Sequence, residues 1–402
     1  MKNIKEEFLG THNNLAQHYS KFKVTERILL SGHSHQAWPD VAFEGIQECW
    51  EDASSLVDLK WSKVLNKIED VKTGYRLLMN DDIGEMSFAQ STHELLVKLF
   101  SALDFTKKNK IILTDTEFYS VTRQINRLAE TGLINPVFVA ANPVYNLPER
   151  MAEKIDSKTA ICIISSIFFK SGLKVRDFSP LVEKCEKEGV PLLIDAYHSL
   201  NATEFDIKKL KLENAFITGG GYKYCQLGEG LGFLRFPPGI NLRPVVTGWF
   251  SRFQELSNMQ ASEKTQYGEG GLLFAGATFE PVSFYRASRV FRFFKENELN
   301  ISEISELYKT MNLSIISEFL KEEINPQIIR IKDDVSIDER GGFVSFESNF
   351  AGLFYESLMK NNIYSDFRGN ILRLGPAPYI SESQIKEAIF TLAKIALTIK
   401  IN

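Results

Sequence analysis

One lysine of this 402-residue chain stands in an unusual setting: Lys223 lies between Tyr222 and Tyr224, directly after three glycines, in GGGYKYCQLGEGLGF. Glycines allow another group to approach the backbone closely. The segment does not fit a P-loop, which needs Gly-Lys-Ser/Thr. It does not fit the dinucleotide fingerprint either, because a strand-like run follows GEGLGF. Lys223 is therefore a candidate for a Schiff-base lysine, and a surface lysine in a hairpin turn is the alternative.

A second candidate lies in FAQSTHELLVK, where Ser91 and Thr92 follow a predicted strand and begin a predicted helix. Ser91 and Glu94 fit the capping box S/T-x-x-E. Free N–H groups and two hydroxyls at a helix start can bind a phosphate. Taken alone, a plain helix cap is the simpler interpretation.

The third candidate is Asp195, which ends the apolar run VPLLID, with His198 three residues further on. A carboxylate at the end of a buried strand needs a partner, and a protonated ring nitrogen would be one. A loop cap through an Asx turn explains this stretch equally well.

The three candidates gain weight from their order along the chain. Pyridoxal phosphate needs an anion site for its phosphate, a carboxylate for its pyridine nitrogen and a lysine for its aldehyde. In parallel α/β sheets, ligands collect at the carboxyl ends of the strands, where all three candidates are expected. The sequence therefore predicts pyridoxal phosphate as cofactor.

The elements that position these residues alternate between apolar runs and amphipathic stretches, which predicts an α/β fold with a mostly parallel seven-stranded sheet. Helices are predicted at 91–103 and 178–189. The predicted strands are 85–89, 110–115, 136–140, 159–165, 190–195, 215–220 and 232–236.

The pattern changes after residue 280, where a smaller α+β domain is predicted. The expected organisation is an N-terminal segment at 1–50 that packs with the small domain, a large domain at 51–280 and the small domain at 281–402. Residues 256–271 are predicted to form a polar surface loop. In the small domain, helices are expected at 283–298, 301–323, 350–361 and 382–399, with a strand at 341–347.

Composition restricts the class of protein. A net charge of −4 with 24% charged residues is typical of an ordinary soluble globular protein and does not favour nucleic acid or an anionic membrane as partner. The sequence contains no apolar run of membrane-spanning length, and its charged beginning is unlike a signal peptide, so we expect a cytoplasmic protein. The four cysteines form no CxxC pair, so neither a disulfide framework nor a metal site is expected.

From about residue 29 to residue 380, the chain resembles pyridoxal-phosphate enzymes of fold type I, within them the class V aminotransferase group and most closely the kynureninase family. The lysine segment resembles that family's Y-K-Y-L-N-G-G-P-G, and DAYH resembles D-x-x-H. FAQSTHELLVK is similar to S-T-x-x-N-L. YSDFRGNILRLGPAPYI is similar to D-x-R-x-x-x-x-R-x-x-P-x-P.

The resemblance implies a role for each matching residue. Lys223 would form the Schiff base, Asp195 would hold the pyridine nitrogen, and Tyr222 would contact the phosphate. Arg373 would hold the substrate α-carboxylate, with Ser34 nearby. The remaining cofactor-binding residues that the resemblance implies are Ser91, Thr92, Phe118, His198, Trp249 and Thr278. Phe118 would stack on the pyridine ring. Trp249 and Thr278 would reach the site of the second subunit in a homodimer.

The chain departs from the kynureninase pattern at several positions. The family's H-x-N-Y-x-[ST]-G reads SIFFKSG at 166–172, the Ser-Asn pair that recognises the aromatic substrate reads Ala277-Thr278, and the serine before the Tyr-Lys pair is Gly221. These changes affect substrate recognition more than cofactor binding.

The resemblance thus implies kynureninase-like hydrolytic cleavage of a Cβ–Cγ bond in an amino-acid substrate. A class V aminotransferase or β-lyase acting on a different amino acid is the alternative, and a cofactor-binding sensor without turnover is a third reading. A cysteine desulfurase is disfavoured because no cysteine follows Cys225, only two residues after Lys223.

Overall fold

The computed structural model describes residues 4–10, 12–258 and 264–400, and for 254–258 the backbone only. The predicted loop at 256–271 therefore lies partly outside the described residues. The helices are α1 Ile4–Leu9, α2 Val41–Leu56, α3 Trp61–Met79, α4 Thr92–Ser101, α5 Tyr119–Glu130, α6 Leu147–Ala152, α7 Ser179–Glu188, α8 Val282–Glu296, α9 Ile301–Lys321, α10 Ala351–Lys360 and α11 Glu382–Leu397. The strands are β1 Ile28–Leu29, β2 Glu85–Ala89, β3 Lys110–Thr114, β4 Asn135–Val139, β5 Thr159–Ser165, β6 Leu192–Asp195, β7 Phe216–Gly220, β8 Gly232–Phe236, β9 Arg330–Ile331, β10 Val344–Glu347, β11 Ile363–Tyr364, β12 Asp366–Arg368 and β13 Ile371–Leu374.

A seven-stranded sheet with the order β2-β8-β7-β6-β5-β3-β4 forms the centre of the protein. Strand β8 runs antiparallel to both of its neighbours, and the other pairs are parallel. The predicted α/β class and mostly parallel sheet are confirmed, and every predicted strand of this sheet is present within two residues of its expected bounds.

Strand β5 shows why the pattern was readable. All seven of its residues are buried. Ile161 and Ile163 belong to one hydrophobic core, whereas Cys162 and Ile164 belong to another. The sheet is therefore covered on both faces, as continuous apolar runs in parallel strands require.

A second, four-stranded antiparallel sheet has the order β12-β13-β10-β9. The predicted strand at 341–347 is shorter than expected, since β10 begins at Val344. Just before it, Gly342 packs against the Tyr224 ring, where a Cβ would come within 2.7 Å. The short β1 pairs in parallel with β11, so the N-terminal segment contacts this part of the chain. The domain bounds at 50 and 280 stay a prediction.

No helix among the described residues is long and apolar enough to cross a membrane.

One buried ion pair fixes strand β8 beside the loop that carries Lys223. Arg235 is fully buried, and its Nε and Nη2 donate to the Asp81 carboxylate at 2.9 and 3.0 Å. Its Nη1 donates to the carbonyls of Glu213 and Ala215. Although burial opposes it, Arg235 holds the pKa of Asp81 below its usual value. Removing either partner would leave a buried charge without compensation.

We expect Arg235→Met to lower the free energy of unfolding by about 3–5 kcal/mol, because Asp81 would stay buried and unpaired. The matched control is Arg127→Met, which removes an exposed ion pair with Glu130 and should cost under about 1 kcal/mol. Urea unfolding of the cofactor-free proteins measures both. Equal, small losses would show that the buried pair does not stabilise β8.

Candidate active site

A cavity of about 270 Å³ opens at the carboxyl ends of the parallel strands. This is the edge of an α/β sheet where ligands bind. Seven of the residues predicted from the sequence line it: Ser91, Thr92, Phe118, Asp195, His198, Tyr222 and Lys223. The structure thus brings together side chains that are up to 132 positions apart in the sequence (91 and 223).

Lys223 is only 6% exposed, so it is not a surface lysine in a hairpin. Its Nζ lies 2.8 Å from His198 Nε2. The centroids of the Tyr197 and Phe118 rings lie 4.6 and 5.4 Å from the same nitrogen. Burial lowers the pKa of Lys223 to about 7, with Asp195 opposing the shift and Arg373 adding to it. Much of the amine is therefore neutral and nucleophilic near pH 7.

His198 is the partner of this amine. Burial, and then the charges of Lys223 and Arg373, hold the pKa of His198 well below its usual value, so its ring is neutral. A neutral Nε2 can accept a hydrogen bond from Lys223. Its Nδ1 is buried and has no hydrogen-bond partner within the described residues.

Asp195 forms an Asx turn and also has a carboxylate oxygen left for a ligand, so both interpretations of its sequence hold. Its Oδ1 accepts a hydrogen bond from the Tyr197 amide at 2.9 Å, which is the Asx turn. Its Oδ2 receives no donor from the described parts of the chain. Burial raises the pKa of Asp195, against the effects of the Tyr197 amide and Lys223. A protonated ring nitrogen is the kind of donor that this oxygen lacks.

The start of α4 lines the cavity and is a candidate anion site. Ser91 is the N-cap, with an extended backbone, and its Oγ accepts a hydrogen bond from the Glu94 amide at 3.5 Å. The helix can lie this close to β8 because residue 232 is glycine: a Cβ there would stand 2.5 Å from the Thr92 nitrogen. The free N–H groups and the helix dipole favour a bound phosphate here.

The glycines before Lys223 have a similar role. A Cβ on Gly220 would come within 2.3 Å of the Tyr197 hydroxyl oxygen, so glycine allows the Tyr197 ring to lie over the end of β7. The Tyr197 and Tyr222 rings then pack with centroids 5.0 Å apart. Close approach, rather than backbone freedom, explains this glycine.

Two predicted residues, Trp249 and Thr278, do not line the cavity. Trp249 is about half exposed at the start of a 3-10 helix. Thr278 lines a neighbouring cavity of about 620 Å³, which shares Gln90 and Gly230 with the first. Their predicted role concerns the site of a second subunit and stays a prediction.

Arg373 also lies outside the cavity lining, in the second sheet. It is 3% exposed, and its Nε and Nη2 donate to one oxygen of Asp366, with Nε at 2.8 Å. Its Nη1 donates to the Phe169 carbonyl. A guanidinium has five N–H donors, so two remain for a ligand. Arg373 and His198 pack against the same ring, Phe343.

The predicted substrate residue Ser34 is half-buried, and its Oγ lies 3.3 Å from His35 Nδ1. The His35 ring stacks on Tyr222 with a centroid distance of 4.8 Å. His33 is buried against Phe343, and burial lowers its pKa to about 3, with Arg373 adding to the effect. Both histidines therefore contact residues of the site, which their sequence alone did not indicate.

Sequence reasoning missed three further residues. Tyr197 and Ser165 line the cavity, and Glu117 lies buried behind Ser165. Glu117 lies three residues beyond the end of the apolar strand β3 and directly precedes Phe118, and an acidic residue so close to a strand end was the available signal.

A lysine amine, a carboxylate and a helix start at one edge of a mostly parallel sheet define a pyridoxal-phosphate-dependent enzyme of fold type I. Two comparisons bear on this class. Residues 54–327, more than half of the chain, match the family aminotransferase class-V. Residues 309–392 match the kynureninase C-terminal domain. The chain belongs to the class-V aminotransferase family, and its cofactor is pyridoxal phosphate.

Relatives and solved structures agree with this family. An uncharacterized aminotransferase, YcbU, of Bacillus subtilis (strain 168) is 22% identical over 91% of this chain and 93% of its own. A kynureninase of Geobacillus thermodenitrificans (strain NG80-2) is 24% identical over 61% of this chain and 57% of its own.

Among solved structures, a cysteine desulfurase of Thermococcus onnurineus NA1 has a TM-score of 0.80 at 15% identity, over 96% of this chain and 98% of its own. A mutant of C-DES, with glycine covalently linked to the PLP cofactor, has a TM-score of 0.78 at 17% identity, over 94% of this chain and 98% of its own. At such identities the likeness shows the fold.

The lowered pKa of Lys223 can be measured by reductive methylation of the cofactor-free protein with formaldehyde, because only the neutral amine reacts. Modification of Lys223 should rise about tenfold from pH 6 to pH 8 and then level. Lys107, whose pKa a hydrogen bond to Asp104 raises, is the exposed control and should still be rising above pH 8. Peptide mass mapping follows both lysines. Parallel profiles would contradict a neutral buried amine.

Proposed function

We propose that the protein acts on an α-amino acid through a Schiff base at Lys223, and that it catalyses kynureninase-like hydrolytic cleavage of the Cβ–Cγ bond. The observation that carries the first part is the buried Lys223 amine, 2.8 Å from His198, in a cavity that Asp195 also lines. Support for the second part is the match of 309–392, which includes Arg373, to the kynureninase C-terminal domain.

The residues of the cavity fit the cofactor at three points. The free Oδ2 of Asp195 would hold the ring nitrogen, Ser91 and Thr92 at the helix start would hold the phosphate, and Phe118 would cover the ring. When bound, pyridoxal phosphate accepts electrons released at the substrate α-carbon. A buried, ionised Asp195 would keep the ring nitrogen protonated and so favour this withdrawal.

Lys223 would move the proton at the α-carbon. With its pKa lowered to about 7 by burial, the amine can take a proton near neutral pH and return it. His198, held neutral, would accept a hydrogen bond from the amine and orient it.

Arg373 would bind the substrate α-carboxylate. Asp366 and the Phe169 carbonyl occupy three of its five donors and fix the guanidinium plane. The two free N–H groups suit a planar, bidentate contact with a carboxylate. Asp366 thus positions Arg373 and leaves part of it for the ligand.

Aromatic side chains beside the cavity suit the ring of a kynurenine-like substrate. Phe118 and Phe169 meet edge to face at a centroid distance of 5.4 Å, and Tyr119 packs on Phe169 at 5.3 Å. Such rings favour an aromatic partner over an aliphatic one.

The second candidate function is transamination or β-elimination on a different amino acid. It is favoured by Ala277 and Thr278, which stand where the kynureninase family has its Ser-Asn pair, and by the likeness to an aminotransferase over most of the chain. A desulfurase is not favoured: all four cysteines lie in the described chain, are buried, and are absent from the cavity lining.

A homodimer is part of the proposal. Trp50, Val57 and Leu59, on α2 and the turn after it, are largely exposed, as is Val245, and Trp249 is about half exposed. A second subunit that covered these side chains together would bury a contiguous apolar patch. In the dimer, Trp249 and Thr278 would reach the cavity of the second subunit.

The substrate is tested by incubating the holoenzyme with L-kynurenine and its 3-hydroxy form. Kynureninase-like cleavage gives an anthranilate, which is fluorescent, and Lys223→Ala should give none because the covalent lysine is lost. Conversion of the cofactor to its pyridoxamine form by other amino acids, without anthranilate, would establish the aminotransferase instead and remove the cleavage.

The role of Arg373 is tested with Arg373→Lys, which keeps the charge and loses the planar fork. Affinity for an amino acid that reacts should fall about 10- to 100-fold, since about 1.5–3 kcal/mol of charged hydrogen bonding is lost. The matching amine without a carboxylate serves as control and should bind both proteins equally. Spectral titration of the holoenzyme measures both. Equal losses for acid and amine would show that Arg373 does not contact the carboxylate.

A further inference from the structure

Glu117 is a buried carboxylate that forms no salt bridge with any described residue. It is 2% exposed, and no salt bridge reaches it from the described residues. Its Oε1 accepts hydrogen bonds from the Thr114 hydroxyl at 2.7 Å and the Ser165 amide at 3.1 Å. Its Oε2 accepts a hydrogen bond from the Ser165 hydroxyl at 2.5 Å. A buried carboxylate without a cation is costly and calls for an explanation.

The position of Glu117 links it to the cofactor cavity. Ser165 ends β5 and lines the cavity, and it stands opposite Asp195 in the register of β5 and β6. Glu117 lies on the other side of Ser165, beyond the end of β3. Two carboxylates therefore flank one serine, within about two strand spacings, or about 10 Å.

These carboxylates repel each other through a medium of low dielectric constant. Burial, and with a smaller effect the charge of Asp195, raise the pKa of Glu117 to about 7, against the hydrogen bonds from Ser165 and Thr114. Cys162 on β5 also interacts electrostatically with Glu117. The side-chain hydrogen bond with Cys185, followed by burial, keeps the pKa of Cys162 well above its usual value. Burial is thus the main cause of the raised pKa of Glu117, and the charge of Asp195 adds to it.

We propose that Glu117 is a positioning residue for the cofactor: through Ser165 it fixes the cavity wall beside Asp195, and its proton equilibrium is coupled to the binding of a protonated ring nitrogen by Asp195. The inference rests on the proposed role of Asp195.

The sign of the coupling follows from the charges. In the cofactor-free protein, Asp195 repels Glu117, which keeps its proton below about pH 7. A protonated ring nitrogen beside Asp195 cancels much of that charge, so Glu117 ionises more easily and cofactor binding releases a proton. A bound state that holds fewer protons is favoured as pH rises. Glu117 should therefore strengthen cofactor binding as pH rises towards 7 and have no further effect above about pH 8.

The test compares the dissociation constant of pyridoxal phosphate for wild type and Glu117→Gln between pH 6 and pH 8.5. The ionisations of the cofactor itself and of Lys223 act on both proteins, so they cancel in the ratio of the two constants. We expect wild type to gain about three- to tenfold over the variant from pH 6 to pH 8, the range for one coupled proton. A ratio that does not change with pH would overturn the coupling and leave Glu117 a structural residue.

Thr114→Val is the matched control, since it removes one hydrogen bond from the same carboxylate at a distance from the cavity. The ratio of its dissociation constant for the cofactor to that of Glu117→Gln should still change with pH. The pH at which this ratio changes should be higher than for wild type, because the lost donor disfavours the ionised form of Glu117. A vanished step would contradict the assignment to Glu117.

A second measurement needs no cofactor. Glu117 binds its proton more tightly in the folded than in the unfolded chain, so the stability that it contributes falls as pH rises from about 4.5 to about 7. The Tm of cofactor-free wild type should therefore fall relative to Glu117→Gln over this range, and a constant difference would contradict the raised pKa. If Glu117→Gln does not fold, Ser165→Ala is compared with wild type instead. The pH at which cofactor binding by Ser165→Ala strengthens should be higher than for wild type, because Glu117 has lost a hydrogen-bond donor. An unchanged pH would overturn the inference.

Failure of the inference and failure of the proposed function can be told apart. Wild type that binds no cofactor at Lys223 at any pH removes the proposed function. If wild type binds the cofactor but the ratio of its dissociation constant to that of Glu117→Gln does not change with pH, only the proposed role of Glu117 is excluded.

Discussion

Burial of the Lys223 amine is the constraint on which the rest of the site depends. An ammonium group taken out of water loses its hydration, so burial lowers the pKa of Lys223 to about 7. The amine is not paired directly with a carboxylate of the described residues. The neutral His198 ring lies 2.8 Å from the amine and can accept a hydrogen bond from it, and the faces of Tyr197 and Phe118 surround the amine. Gly220, three residues before the lysine, leaves the space in which the Tyr197 ring lies against the end of β7. The same burial that costs stability yields a nucleophile at neutral pH.

The sheet delivers the remaining groups to this amine. Parallel strands end at one edge, so Asp195 and Ser165 fall side by side, while β8 and α4 bring Ser91 into the lining of the same cavity. Strand β8 runs against its neighbours and is held by the buried pair of Arg235 and Asp81. The second sheet carries Arg373, which Asp366 fixes and which we propose as the substrate-binding residue. The proposed site is thus assembled from separate elements of the fold.

Much of the fold was predictable because strands such as β5 are buried on both faces and read as unbroken apolar runs. The order of Ser91, Asp195 and Lys223 predicted the cofactor, since strand ends meet at one edge. The sequence does not specify distances across strands, so it gave no reason to connect Glu117 with Ser165, 48 residues away. From the sequence, an Asx turn and a free carboxylate were alternative interpretations of Asp195. In the structure both hold, because one carboxylate oxygen accepts the turn hydrogen bond and the other has no donor among the described residues. Asp366 faces Arg373 through the β12–β13 register, which spacing alone does not give.

The most direct test of the account is the visible absorption spectrum of the purified protein, before and after borohydride reduction, followed by peptide mapping. We expect a yellow band that is lost on reduction, with the pyridoxyl group fixed on Lys223. A protein that stays colourless with added pyridoxal phosphate, or a pyridoxyl group fixed on another lysine, would contradict the assignment of Lys223 as the residue around which the site is built.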